Sequence, residues 1–180
     1  KLNTDYTFKQ NSLTSAQETN TQFFLDDTTY TNKQNVNLKR ENQSHTFNLR
    51  WAQNLDSLTE LTVRPKINYS TSGSNNLQAD DFISADNILT RETNILNKSN
   101  TSTTDANVQL KLVRNFKKKD RQFSISYQPT YYTSVTKTDL ETEFNYYLGQ
   151  SLDSLLKQRR DQESYKMEHN ASLTYVEPIT

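Results

Sequence analysis

His45 and His169 lie far apart in the sequence, each near the end of a run of alternating residues, and a metal site would need the fold to bring them together. The chain has no Cys, and no carboxylate stands at ligand spacing from either imidazole to complete such a site. Asp80-Asp81 followed by Asp86-Asn87 gathers oxygen ligands of the kind calcium takes. The glycine-containing spacing of a calcium loop is missing, so a solvated stretch is the simpler reading. Lys117-Lys118-Lys119 with Arg121 has the composition of a phosphate patch. The same charges would also keep a short turn in water, with Asp120 offsetting part of them, and Arg159-Arg160-Asp161 reads the same way. Asn97-Lys98-Ser99 fits the N-glycosylation spacing, which has meaning only in a eukaryotic host, and nothing in the sequence suggests one. No Ser sits in a glycine-flanked elbow, 2 Gly cannot build a phosphate loop, and no carboxylate pair has a glycosidase context. The expectation is no catalytic residue, no cofactor and no metal.

The composition narrows the class further. Lys+Arg number 21 and Asp+Glu 21, so no net field draws the chain to nucleic acid, and no nucleic-acid partner is expected. Only 32% of the residues are hydrophobic and the mean hydropathy is −0.96, too little for an ordinary soluble core. Disorder does not fit either, because the chain carries ten Tyr, eight Phe and one Trp, and disordered segments are poor in rings. No apolar run approaches the roughly 20 residues of a transmembrane helix, and no signal peptide opens the chain. The start at Lys1 and the stop at Thr180, without a terminal signature, lead us to expect a piece of a longer protein.

What orders the rings is a two-residue period. Leu61, Val63, Pro65, Ile67 and Tyr69 alternate with Thr62, Arg64, Lys66, Asn68 and Ser70. Phe123, Ile125, Tyr127, Pro129 and Tyr131 alternate with Ser124, Ser126, Gln128, Thr130 and Tyr132. The pattern returns in Ala106, Val108, Leu110, Leu112 against Asn107, Gln109, Lys111, and in His45, Phe47, Leu49, Trp51 against Thr46, Asn48, Arg50, Ala52. Shorter versions occur at Leu2 to Lys9 and at Ala171 to Tyr175, where Leu173 shares the apolar parity. Pro65 and Pro129 fall inside the pattern, where a missing N–H predicts a bulge or a strand end.

The connections sort by length. Stretches 54–59 and 115–120 read as short turns, whereas 10–43, 71–103 and 133–167 read as long polar loops. Six alternating strands joined in that way have the pattern of an outer-membrane barrel, with short periplasmic turns and long extracellular loops. The predicted fold is all-β: an antiparallel up-and-down transmembrane β-barrel segment of about six strands, part of a larger barrel and a single unit over 1–180. A six-strand sheet cannot close. Promoting a hairpin around Phe23 to Leu38 would give about eight strands, but Asp26-Asp27 interrupts its alternation.

The runs LDSLTELTVRPKINYS, VQLKLVRNFKKKDRQFSISYQPTYY and HNASLTYVEPIT, separated by Asn/Ser-rich stretches, resemble the barrel region of Bacteroidota TonB-dependent receptors, the outer-membrane β-barrel family. The likeness covers about 44–180. It implies a barrel of about 22 strands with a plugged lumen, energised by TonB and sometimes lidded by a surface lipoprotein. It also implies a bacterial outer-membrane location, with outer-membrane lipid as partner, while the plug and remaining strands lie outside this chain.

The expected function is the wall of a nutrient transporter. Phe47, Leu49, Trp51, Leu61, Val63, Ile67, Tyr69, Val108, Leu110, Leu112, Phe123, Ile125, Tyr127, Leu173 and Tyr175 would face lipid. Trp51, Tyr69, Tyr127, Tyr131 and Tyr175 would form interface belts rather than a stacking platform for sugars or bases. Arg50, Arg64, Lys66, Gln109, Lys111, Gln128 and Thr130 would face the lumen and touch the plug or tune solute selectivity. Within the long loops, Asp80, Asp81, Phe82, Ile83, Tyr146 and Tyr147 would contact solute or a lipoprotein. The rival reading is a soluble or surface-attached all-β binding module, a non-enzymatic sandwich whose apolar faces pack on each other. A phospholipase-like barrel comes third, for want of a nucleophile constellation.

Overall fold

The computed structural model describes residues 1–25, 28–149 and 153–178. They form one sheet of six strands: β1 (Leu2–Phe24), β2 (Thr29–Asn54), β3 (Thr59–Ser84), β4 (Leu89–Asn115), β5 (Gln122–Tyr146) and β6 (Ser154–Val176). The strands follow one another in the sheet in chain order, each antiparallel to the last. The sheet is all-β and up-and-down, and it does not close on itself: β1 and β6 are its two edges. Connections 55–58 and 116–121 lie at one end, with the start of β1 and the end of β6; the end of β1 and start of β2, the connection 85–88, and the end of β5 and start of β6 lie at the other.

The expected long loops at 10–43, 71–103 and 133–167 are instead strand over most of their length. Each of the six strands has between 23 and 27 residues, more than twice the 9–11 or so that cross a bilayer. Apolar alternation marks a strand only where one face meets an apolar medium and the other water. Further along, both faces are mostly polar with apolar residues such as Val36, Leu77, Ile95 and Leu96 scattered over the two, so the period vanishes while the backbone ladder continues, because N–H and C=O pairing is indifferent to side-chain polarity. Thr and Ser suit such a ladder, being compatible with extended backbone and able to bond across strands. Thr103 and Ser134, Thr101 and Thr136, and Ser99 and Thr138 meet as hydroxyl pairs at 3.2, 3.0 and 3.3 Å. The separate hairpin around Phe23 to Leu38 is likewise absent, since Thr29 onward belongs to β2, and Asp26-Asp27 lies outside the described residues.

Local chemistry sets the turns. In the β2–β3 connection the Asp56 carboxylate accepts from the Leu58 amide at 2.7 Å and the Thr59 hydroxyl at 3.0 Å, an Asx-type turn. Those bonds, led by the Leu58 amide, hold its pKa below the usual carboxylate value. Asn87 and Asp120 take positive φ, 57° and 59°, in the β3–β4 and β4–β5 turns, a conformation that Asn and Asp tolerate best after Gly.

Register places the two parities on two faces. One row runs Leu2, Trp51, Val63, Leu110, Tyr127, Ala171 across all six strands, and another Tyr6, Phe47, Ile67, Ala106, Tyr131, Met167. The alternate residues fall on the opposite face, as in Asp5, Asn48, Lys66, Asn107, Thr130, Glu168. Neither proline produces the expected bulge or strand end. Both strands run on, with Leu49/Pro65, Arg50/Arg64, Val108/Pro129 and Gln109/Gln128 left out of the pairing. Each proline still pairs on its other side, with Val108 and His169 respectively, which carries the strand through. The register shift occurs elsewhere, between Phe82 and Ile83. Among the described residues no apolar side chain is buried.

Candidate functional site

The apolar face is the most extensive feature. All fifteen apolar-parity residues expected to meet lipid, from Phe47 to Tyr175, share it. Among the described residues no second layer covers it: Trp51, Ile67, Tyr69, Ile125, Tyr127, Leu173 and Tyr175 are all exposed. From Leu61 to Tyr69 the patch covers nine residues of β3, about 30 Å at roughly 3.3 Å per residue. Beyond the row of Phe8, His45, Tyr69 and Tyr165 the same face turns ionic, with Lys39 and Glu41 paired at 2.8 Å and Lys157 and Glu141 at 3.1 Å. Aromatic side chains crowd that boundary: His45 lies among Tyr6, Phe8 and Tyr69, and Tyr131 meets Tyr165 edge-on at 5.5 Å. Phe116 and Tyr175, in edge contact at 6.4 Å, mark the other boundary.

The two histidines lie on this face and on strands β2 and β6, four strand steps apart, about 19 Å at 4.8 Å per step. They do not form a metal pair. Each has its Nδ1 on a tyrosine hydroxyl of the adjacent strand, Tyr6 to His45 at 2.8 Å and Tyr127 to His169 at 2.6 Å. That bond satisfies a polar ring on an apolar surface. Among the described residues no cluster of three or more His, Cys, Asp or Glu is positioned for a metal.

The polar face carries Arg50, Arg64, Lys66, Gln109, Lys111, Gln128 and Thr130 together. At the level of the two prolines it opens into a cleft of about 420 Å³ lined by Arg50, Arg64, Lys66, Gln109 and Gln128, with Asp5 at one side. Asp5 accepts from the Asn48 amide at 3.2 Å, and Asn107 donates to Thr130 at 2.8 Å.

The expected loop site is rearranged. Asp80, Asp81, Phe82, Ile83 and Tyr146 are strand residues near the far end of β3 and β5, and Tyr147 directly follows β5. Strand alternation then divides them. Asp80, Phe82 and Tyr146 lie on the polar-parity face, whereas Asp81 and Ile83 lie on the other. Tyr147 donates to Glu92, the register partner of Asp81, at 2.9 Å, and that bond raises the pKa of its phenol. Asp80 is only 6% exposed and accepts from Gln34 at 2.9 Å and Gln78 at 2.7 Å. The Arg91 guanidinium lies 3.8 Å over the Phe82 ring. Phe23 stacks on Tyr30 at 4.5 Å, and Tyr30 reaches Phe82 at 6.5 Å. Sequence reasoning missed Arg91, Gln34 and Tyr30, because only the cross-strand register brings them to Asp80 and Phe82.

The basic run has a structural partner. Lys118 and Arg121 donate to Glu177 at 2.8 and 2.6 Å, joined by the Tyr175 hydroxyl at 2.6 Å. The three donors, Arg121 foremost, hold the Glu177 carboxyl down at about 2. The chain just beyond β6 is thereby clasped to the β4–β5 turn; Ile179 and Thr180, at the end of the VEPIT motif, lie outside the described residues.

No protein-family model and no curated protein matches the chain. Among solved structures the chain aligns with the membrane pore complex of pneumolysin at 8% identity and a TM-score of 0.16, over 93% of this chain and 31% of that one. The chain thus spans about a third of that protein's length. A likeness at that score carries no argument.

Proposed function

We propose that this chain is a wall segment of a TonB-dependent transporter of the bacterial outer membrane, non-enzymatic, with the apolar face toward lipid and the polar face toward the lumen. The apolar face carries the reading. Its length along a strand, about 30 Å, projects to about 23 Å for strands tilted by roughly 40°, close to the apolar band of about 25 Å that such barrels present.

The patch also slides. Its limit near the short turns is Trp51 on β2, Leu61 on β3, Leu112 on β4, Phe123 on β5 and Tyr175 on β6. Since Trp51 faces Val63, Leu61 faces Leu112, Leu112 faces Ile125 and Phe123 faces Tyr175, the limit drops two rows over four strand steps. One residue per step, about 3.3 Å against 4.8 Å, corresponds to a tilt of about 35°, within the range for membrane barrels. A sandwich core gives no reason for such a drift, and no second sheet faces the patch among the described residues. TonB and the receptor family rest on the sequence resemblance alone. The remaining strands must pair β1 and β6, since open edges in lipid would leave several kcal/mol of unmet hydrogen bonding per group.

The test is membrane insertion of the full-length polypeptide. It should fractionate with the outer membrane, resist urea extraction and show heat-modifiable mobility. Recovery as a soluble, detergent-independent species would refute the proposal and favour the binding module.

A further inference from the structure

Six side chains cross the polar face at the level of the prolines: Asn3, Arg50, Arg64, Gln109, Gln128 and Asn170. Every one carries N–H donors, and none is a carboxylate. The next row away from the short turns differs, since it holds Asp5 and Glu168, while the row on the short-turn side, Ala52, Thr62, Lys111, Ser126 and Ser172, has no carboxylate but only one cation. Register on either side, Asn48 opposite Lys66 and Trp51 opposite Val63, sets Arg50 directly across from Arg64. Like charges in opposed positions are unfavourable unless something between them is negative. Among the described residues neither guanidinium has a hydrogen bond or ion pair within the chain, in contrast to Arg121 and Lys118 at the clasp.

The backbone contributes independently. Pro65 and Pro129 interrupt pairing at this level in the β2–β3 and β4–β5 ladders, and the cleft of about 420 Å³ opens there. Lys66 lines the cleft with the two guanidiniums, against the single carboxylate of Asp5. A planar fork on each side of a gap suits a carboxylate or phosphate, which takes bidentate bonds from guanidinium.

We infer that this donor row is a binding site for a small anionic solute bearing a carboxylate or phosphate. The inference rests on the polar face being the lumen wall, and it narrows the solute class of that transporter. The amides of Asn3, Gln109 and Gln128, which line the same cleft, then serve the solute's neutral oxygens, and a water-filled lumen lined by cations raises the local anion concentration.

The experiment is calorimetric titration of the purified full-length protein, in detergent, with inorganic phosphate, citrate and glucose, at 20 mM and 300 mM NaCl. Heat-modifiable mobility is read on every sample. Phosphate or citrate should bind saturably, glucose should not, and the affinity should fall with salt. Arg50→Gln and Arg64→Gln should each weaken binding about tenfold while mobility stays that of the folded barrel. No saturable anion binding by a folded wild type, or affinity unchanged in the double variant, overturns the inference and leaves the membrane reading intact. If wild type binds neither anion but the double variant shifts the melting midpoint, the row seats acidic side chains of the same polypeptide, and the solute assignment is wrong. Wild-type protein that never shows heat-modifiable mobility removes the lumen reading, and the inference with it.

Discussion

Placing one cation at successive positions along β4 tests the proposal that the apolar face meets lipid. Val108 sits opposite Pro65 near the middle of the patch, Leu110 lies one step nearer its limit between Val63 and Tyr127, and Leu112 is at the limit on that strand. Each step of two residues is about 6.6 Å along the strand, or roughly 5 Å of depth at 40° tilt. An Arg costs about 2–4 kcal/mol at the bilayer midplane and about 0–1 at the interface. Val108→Arg is expected near 3 kcal/mol, Leu110→Arg near 2, a factor of about 30 in the folding equilibrium, and Leu112→Arg below about 1. Gln109→Arg, between them on the other face, should cost almost nothing, because the group remains in water. The assay is urea unfolding of the full-length polypeptide in lipid vesicles, read by heat-modifiable mobility. Equal losses for Leu110→Arg and Gln109→Arg, or a flat series from Val108 to Leu112, would refute the assignment of faces.

Other expectations follow from particular contacts. Glu177→Gln should lower the melting midpoint at neutral pH; since the carboxyl is depressed from 4.5 to about 2, the gap from wild type is full above pH 4.5 and closes as pH falls through 2. A gap that persisted at pH 2 would show that the clasp is not ionic. Asp80→Ala leaves the Gln34 and Gln78 amides without their acceptor in a part-buried setting, so about 1–3 kcal/mol should be lost locally, seen as faster amide exchange in β2 and β3 near Gln34 and Gln78. Unchanged exchange there would refute it. Pro65→Val restores an N–H toward β2 and should add protection at that amide, with about 1 kcal/mol of stability. An amide at 65 that exchanged at once would show that the gap is not caused by the missing donor. Deleting 140–150, innocuous if this were a loop, removes the end of β5 and should unpair Arg91 to Asn97 on one side and Ser154 to Gln158 on the other, read by amide exchange.

Legibility in the sequence followed the solvent. Between Leu61 and Tyr69, where one face is apolar, parity alone sorted the side chains onto the two faces of the sheet, because successive side chains of a strand point to opposite sides. Between Thr71 and Thr103 polar residues dominate both faces and the few apolar ones, such as Leu77, Ile95 and Leu96, follow no single parity, so composition could not distinguish a ladder from a loop. The same loss of parity hid the distal cluster: Asp80 and Asp81 are neighbours in sequence, yet the pleat sends them to opposite faces and gives Asp80 its partners from β2 and β3. Glu177 was out of reach for a different reason. Its donors lie at 118 and 121, and only the return of β6 beside β5 brings the three together.

The hydroxyl pairs that continue from Thr103 and Ser134 to Ser99 and Thr138 have a mechanical meaning. A port rimmed by floppy segments can close by letting one fold inward at little cost. On the proposed reading the rim is a tall palisade of strands, with β4 and β5 paired as far as Tyr146. Bending one hairpin over the opening would unzip it row by row, at about 0.5–1.5 kcal/mol for each bond. In the proposed transporter such a palisade would keep a fixed aperture, and control of passage would fall to parts that move inside it.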